Sequence, residues 1–381
     1  MVNPFFVSIL VIIVSDGSGL NLSQDAVFQY IRSLYGEKVK VQRIWRLGET
    51  SMVDVADLKG FGYGCPYVIE FKNEGKTCRV VLETMRPGEG FGHDHFSDRA
   101  QILIWQNSAF NKLPKHVSSV DAGCFDGNGK LVSVGSCKEY FILTEFIEGK
   151  LYHLDLDRLK ETDDLNELDL NRCVALSDYL VEIHKKRYSS TGLYVRRVRD
   201  LVGHGECIMG LLDSYPKEFA YVNKSYFIDI EKTCVEWRWK LKERAHRLSQ
   251  VHGDFHPWNL LFREGVDFTA IDRSRGEWGE PADDIAALTI NYIFYSLQKY
   301  GELTGIFDRL FKLFWENYLQ KTRDSEVLEV VQPFYTWRSL VVASPIWYPN
   351  LSADVRVKLL NFAQNMLHHD RFNLMDVNSY F

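Results

Sequence analysis

The stretch VHGDFHPWNLLF, residues 251–262, sets two histidines, an aspartate, a tryptophan and an asparagine between apolar flanks. His252, Asp254 and His256 invite a metal reading, but Pro257 follows at once and breaks any helical i, i+4 arrangement of ligands. A zinc site is therefore disfavoured. What remains is a polar loop leaving the apolar run Leu260-Leu261-Phe262, with Asp254 followed five residues later by Asn259.

That spacing is the spacing of a kinase catalytic loop, in which the aspartate accepts the proton of an attacking hydroxyl and the asparagine oxygen holds magnesium. Such a loop requires a second metal-binding aspartate one short hairpin later. LLFREGVDFTAID supplies a strand, a Gly turn and a second strand ending at Asp272. Carboxylate and amide oxygens suit Mg²⁺, which keeps several waters and binds through substrate phosphates.

HGDFHPWN and IDRSRGEWGEPADDIA, with Asp254 and Asp272 eighteen residues apart, resemble the HGDxxxxN and IDx…GDPxxDLA motifs of the aminoglycoside phosphotransferase family, which includes choline and other small-molecule kinases. The resemblance implies Asp254 as catalytic base, Asn259 and Asp272 as magnesium ligands, and His252 as a structural brace. Asp284, matching the aspartate of DLA, would anchor the loop and cap its helix, while His256 and Trp258 would pack nearby. SDYLVEIH (177–184) is similar to the family's LxxLH helix, and LTEFIEG (143–149) to its hinge, where Glu145, Phe146 and Ile147 would meet the adenine edge. KGFGYGCPYVIEF (59–71) stands where the nucleotide loop belongs, and Gly60, Gly62 and Gly64 would let backbone approach phosphates; a plain hairpin turn is the alternative.

One departure stands out. The family places a phosphate-gripping lysine on its third strand and a glutamate on the next helix, whereas here Glu83 and Arg99 occupy the matching positions. Four readings follow: a misalignment of ordinary surface charges, a preserved ion pair of swapped polarity with Arg99 supplying the positive charge, Lys72 reaching in from the preceding strand, or a weakened nucleotide site. YVRRVRDLVGHGECIMGLLDSYP carries Arg196, Arg197, Arg199 and Glu206, which read either as solvated helix and loop or as part of the acceptor pocket. The aromatic run PFYTWRSLVVASPIWYPNL (333–351) reads first as core and second as a pocket wall.

Composition frames these motifs. With 381 residues, 46% of them hydrophobic, the chain can bury more than one core, and its net charge of −6 gives no basic surface for nucleic acid. The seven cysteines are scattered and never form a CxxC pair, which reads as reduced thiols in a cytoplasmic protein. Pro4 to Val14 is apolar but too short to span a bilayer, and no basic residue precedes Arg32, so a packed strand or a leader upstream of the true start is expected, with no membrane partner. The acidic run 155–170 reads as a solvated helix flank.

The pattern along the chain predicts an α+β protein, and the resemblance implies that it is a bilobal, protein kinase-like one. Residues 1–40 form an extension and leading helix, 41–148 an antiparallel β-lobe with one helix, and 149–381 a larger helical lobe. VQRIWRL, YVIEFKN, CRVVLETM and EYFILTEF read as strands. SDRAQILIWQNSAF reads as a helix capped by Ser97 with Ala100, Leu103, Ile104 and Phe110 on its apolar face. DLNRCVALSDYLVEIHKK, WRWKLKERAHRL, DDIAALTINYIFYSLQKY and VRVKLLNFAQNMLHH read as helices. The function implied is transfer of the γ-phosphoryl group of ATP or GTP to a hydroxyl of a small molecule. Its rivals are a non-catalytic nucleotide-binding protein, favoured by Glu83, and a protein kinase, disfavoured because GEWGEPADD follows Asp272 with no long activation loop.

Overall fold

A computed structural model of the chain describes residues 23–46, 64–85, 88 and 92–381. The apolar run 4–14, Gly60 and Gly62 lie outside these residues. The chain divides into two units, Met1–Leu143 and Thr144–Phe381, so the division falls at 143/144 where the sequence suggested 148/149.

The first unit opens with α1 (Gln24–Tyr35), whose N-cap Ser23 accepts the Ala26 amide at 3.0 Å. Three antiparallel strands follow in sequential order: β1 (Lys40–Arg46), β2 (Gly64–Asn73) and β3 (Lys76–Met85). Val27 and Ile31 of α1 bury against Tyr67, Ile69 and Phe71 of β2. Gly64 is thus a strand residue, paired with Met85. Next comes α2 (Phe96–Phe110), then a hairpin of β4 (Gly123–Phe125) and β5 (Leu131–Ser133) closed by Asp126, whose side chain accepts the amides of Asn128 and Lys130 at 2.8 Å. The cap of α2 is His95, not Ser97: Asp98 accepts the His95 amide at 2.8 Å and closes a capping box two residues earlier than expected. Ala100, Leu103, Ile104 and Phe110 are only partly buried.

EYFILTEF is a correction. No strand forms over 139–146, and Phe141, Ile142, Leu143 and Phe146 are exposed. A continuous apolar run has strand propensity, but a strand exists only where a neighbour supplies the ladder, and nothing pairs with this one among the described residues.

The second unit contains β6 (Lys150–Leu151), α3 (His153–Thr162), α4 (Glu167–His184), α5 (Thr191–Gly203), α6 (Ile208–Asp213) and α7 (Lys224–Leu241). Then come β7 (Ser249–Gln250), β8 (Leu260–Phe262), β9 (Phe268–Ala270) and β10 (Trp278–Gly279), followed by α8 (Pro281–Tyr300), α9 (Gly305–Thr322), α10 (Gln332–Ala343) and α11 (Ala353–Leu367). WRWKLKERAHRL does not stay α-helical throughout, because α7 ends at Leu241 and a 3-10 turn continues to Arg247. The acidic run is not simply solvated: Asp155 is held by Arg172 at 2.5 Å, and buried Asp169 by Arg158. Helix α8 is buried from Pro281 to Leu297 except for Asp283, and α4, α9, α10 and α11 pack around it or its neighbours. No described helix is long and apolar enough to cross a membrane. The cysteines at 78, 124, 137, 173, 207 and 234 are free thiols.

A buried ion network ties the segment before β7 to the start of α8. Arg247, 1% exposed, donates to Glu280 at 2.8 Å and to Asp324 at 2.7 Å, and Glu326 joins at 3.2 Å. Burial would raise the Glu326 carboxyl, but hydrogen bonds from His246, Arg244 and Arg247 outweigh it and lower it from 4.5 to about 2. A carboxyl depressed in the folded state contributes stability above its ordinary value and loses it as pH falls toward the depressed one. Urea unfolding followed from about pH 5 down to about pH 3 should therefore show a shallower loss of stability in Glu326→Gln than in the wild type.

Candidate active site

Short strands deliver the polar loop. β7 pairs with β10, and the Val251 amide extends that ladder to the Glu277 carbonyl at 3.0 Å. β8 pairs with β6 on one side and β9 on the other, with Leu260 opposite Ala270 and the hairpin turned at Gly265 (φ 64°). The Ile271 amide donates to the Asn259 carbonyl at 2.9 Å, so Asn259 and Asp272 emerge side by side.

Asp284, fully buried in the first turn of α8, fixes the loop between them. It accepts the backbone amides of His252 at 2.8 Å and Gly253 at 2.7 Å, and His184 of α4 at 3.1 Å. His184 reaches Tyr318 of α9 on its other side, at 2.9 Å. Burial would push the Asp284 carboxyl up; the hydrogen bond and charge of His184 and the His252 contacts hold it below its ordinary value. Gly253 sits at φ 85°, which favours glycine, and a Cβ there would meet the Cβ of Arg275 at 3.1 Å, so Arg275 would have to give way to any larger residue. His252 is buried and neutral, its pKa lowered mainly by burial, and its Nδ1 accepts the Asp254 amide at 3.3 Å.

Asp254 carries two partners. Arg338 of α10 donates to Oδ1 at 2.5 Å, and His256 Nε2 lies 3.5 Å from Oδ2. The Trp258 amide donates to His256 Nδ1 at 3.2 Å, which places the ring proton on Nε2, facing Asp254. Burial favours a raised Asp254 pKa, but the Arg338 charge and the His256 contacts, with Arg275 behind them, hold it well below the usual carboxylate range. Asn259 spends its amide nitrogen on the Asp254 carbonyl at 3.0 Å, which leaves its side-chain oxygen as the atom available to a cation. Asp272 is exposed and held at φ 60°, a left-handed conformation rare outside glycine, while Arg273 clamps the next segment to the Val251 carbonyl at 2.7 Å.

These side chains share a cavity of about 790 Å³ within the second unit, whose wall includes Glu206, Asp254, His256, Trp258, Asn259 and Asp272. Trp258 stacks on His153 with ring centres 4.9 Å apart. The far wall comes from the aromatic stretch of the sequence, including Trp337, Trp347 and Tyr348. Glu206 lines the cavity, whereas Arg196, Arg197 and Arg199 do not; Arg197 donates to the Trp278 carbonyl at 2.8 Å. Among the described residues no group of three His, Cys, Asp or Glu side chains gathers for a metal. Two hard oxygen donors suit an ion that completes its shell with phosphate and water.

Glu83 is an exposed residue of β3, on the strand face opposite Cys78, Val80 and Leu82. Arg99 donates to the carbonyls of His93 at 2.8 Å and Asp94 at 3.5 Å, and no ion pair joins it to Glu83. The swapped pair is not made, because the turn into α2 takes the guanidinium. Glu145 and Phe146 are exposed and Ile147 partly so, in a segment without regular structure. Sequence reasoning missed Arg338, Arg275 and Asp283; a lone arginine inside the apolar run 333–345 was the available signal.

No protein-family model matches the chain, and no curated protein does. Among solved structures it is similar to an amicoumacin kinase in complex with AMP-PNP, Ca²⁺ and Ami, at 17% identity over 93% of this chain and 97% of that one, with a TM-score of 0.39. It is also similar to a Plasmodium vivax ethanolamine kinase (16% identity, 82% of this chain and 77% of that one, TM-score 0.32). A choline kinase from Streptococcus pneumoniae gives 13% identity over 90% of this chain and 98% of that one, again with a TM-score of 0.32. Likenesses this low carry no argument about the chain, and the site stands on its own geometry.

Asp284→Ala would leave two buried amides and His184 without their acceptor. It should cost on the order of 3–5 kcal/mol in urea unfolding, with Asp284→Asn costing less because one acceptor oxygen survives.

Proposed function

We propose that the chain transfers the γ-phosphoryl group of ATP or GTP to a hydroxyl of a small molecule, of aminoglycoside-, choline- or sugar-like kind. The observation that carries this reading is the convergence of Asp254, Asn259 and Asp272 on one cavity wall, with Asp272 held in a left-handed conformation that backbone sterics alone would not favour.

In this reading Asp254 orients the acceptor hydroxyl and takes its proton on Oδ2. The oxygen–phosphorus bond forms as the bond from the γ-phosphorus to the bridging oxygen breaks, and the nucleoside diphosphate leaves. A carboxylate held below the usual range is a weak base, which suits a loose transition state in which proton transfer is late and positioning dominates. Asn259 and Asp272 would hold Mg²⁺, which supplies neutralisation of charge on the β- and γ-phosphate oxygens. Nucleotide contacts from Gly60, Gly62, Gly64, Glu83, Arg99, Glu145, Phe146 and Ile147 rest on the sequence resemblance. His252 and Asp284 support the loop.

Glu83 favours a second reading, a nucleotide-binding protein without turnover, because an exposed carboxylate stands where the resemblance calls for a lysine. Nucleotide consumption measured across a panel of hydroxyl acceptors separates the two.

Asp254→Asn keeps shape and removes the proton acceptor, so turnover should fall by about 10² to 10⁴ with Mg·ADP affinity by calorimetry nearly unchanged; full activity would refute the assignment. Asp272→Asn should weaken Mg·ADP binding while leaving the urea midpoint within error, since the side chain is exposed and asparagine tolerates the left-handed backbone as aspartate does. Unchanged Mg·ADP affinity would remove Asp272 from the metal site.

A further inference from the structure

We infer that Arg338 is a positioning residue for the transfer step, fixing the Asp254 carboxylate so that Oδ2 alone is offered to the acceptor; this rests on the phosphotransferase reading above. Arg338 is 5% exposed, deep in α10, and grips the catalytic loop at two adjacent residues. Nη1 donates to Asp254 Oδ1 at 2.5 Å, and Nη2 donates to the Gly253 carbonyl at 3.0 Å and to Asp283 Oδ1 at 2.6 Å. Side chain and backbone of the loop are thus held by one planar fork, a geometry that lysine cannot reproduce in full.

The fork is itself braced. Its guanidinium carbon lies 3.9 Å from the Trp337 ring centre, and Arg275 lies 4.4 Å from the same ring. Arg275 in turn reaches Glu206, at 3.7 Å, on the cavity wall. The buried nitrogens Arg338 Nε, Arg275 Nε and Trp337 Nε1 have no hydrogen-bond partner. Stacking and charge, not saturated hydrogen bonding, hold this cluster together.

Buried Arg247, which meets three carboxylates, makes the contrast. Arg247 joins Glu280 to Asp324, neither of which lines the cavity, and it serves the fold. Arg338 and Asp254 both line the cavity, and Arg338 occupies one oxygen of the carboxylate assigned to the chemistry. With Oδ1 taken by Arg338, the carboxylate is held in one orientation and Oδ2, 3.5 Å from His256 Nε2, is the oxygen left to face the acceptor. Without Arg338 it can turn about its Cβ–Cγ bond and present either.

The test uses Mg·ATP with water as acceptor, following ADP release by the full chain, with Mg·ADP affinity from calorimetry and stability from urea unfolding. Arg338→Met should lower kcat by roughly 10²-fold, the scale of a misplaced catalytic group, while KM for Mg·ATP and Mg·ADP affinity stay within about twofold. Arg338→Lys, which keeps the charge and one contact, should recover part of kcat. If Arg338→Met fails to fold, Arg338→Lys carries the same test through its kcat against its unchanged KM. Full kcat in either folded variant overturns the proposal, as do parallel losses of kcat, Mg·ADP affinity and stability, which would make Arg338 another structural arginine. Asp254→Asn distinguishes the failures. If it is inactive while Arg338→Met is fully active, only the positioning role falls; if it matches the wild type, or the wild type turns over with neither water nor any hydroxyl of the acceptor panel, the phosphotransferase reading falls and Arg338 with it.

Discussion

The hydrogen bonds that Asp284 accepts from the His252 and Gly253 amides set the position of everything else in the site. A carboxylate with no solvent exposure can stay ionised only if its oxygens are fully engaged, and here two backbone amides and His184 engage them. The same carboxylate lies in the first turn of α8, where the helix dipole favours negative charge. One side chain thereby joins the central helix, the α4 helix through His184 and the loop that carries Asp254. The tight turn at Gly253, closed against Arg275, leaves that loop a single path.

The charges around the cavity are largely matched to one another. Arg338 lies between Asp254 and Asp283, and Arg275 lies near Glu206. Asp283, pushed up to about 6 mainly by burial, is the one member whose environment disfavours its charge, and Arg338 offsets part of that penalty. What the wall offers beyond these pairs is aromatic and aliphatic: Trp258, Trp337, Trp347 and Tyr348, with Ile290 and Val341. In the proposed reading, an acceptor would meet apolar surface over most of its contact and a few fixed polar groups at the reacting end, the usual economy of a small-molecule site.

Local chemistry explains which readings of the chain held. The helix read over 169–186 formed, although its cap, Asn166, was not read from the sequence. The segment DDIAALTINYIFYSLQKY, read as a helix, forms α8. The β8–β9 hairpin follows from Gly265 between two apolar runs. EYFILTEF failed for the opposite reason: strand formation needs a partner ladder, which no property of the run itself supplies. Arg99 donates instead to the carbonyls of a backbone turn five to six residues before it, and no ion pair joins it to Glu83 among the described residues.

The sequence by itself determined the identity and order of Asp254, Asn259, Asp272 and Asp284, because a loop that must place an acid, an amide and a second acid at fixed spacing leaves its spacing in the chain. It also determined the division into a β-rich and a helical part, which periodicity records residue by residue. Only the tertiary structure decided what surrounds Asp254. Arg338 lies 84 residues further along, in a stretch whose composition reads as core, and it meets the carboxylate only because α10 packs against α8. Long-range pairing of buried charges depends on which helix faces pack together, and no local pattern encodes that.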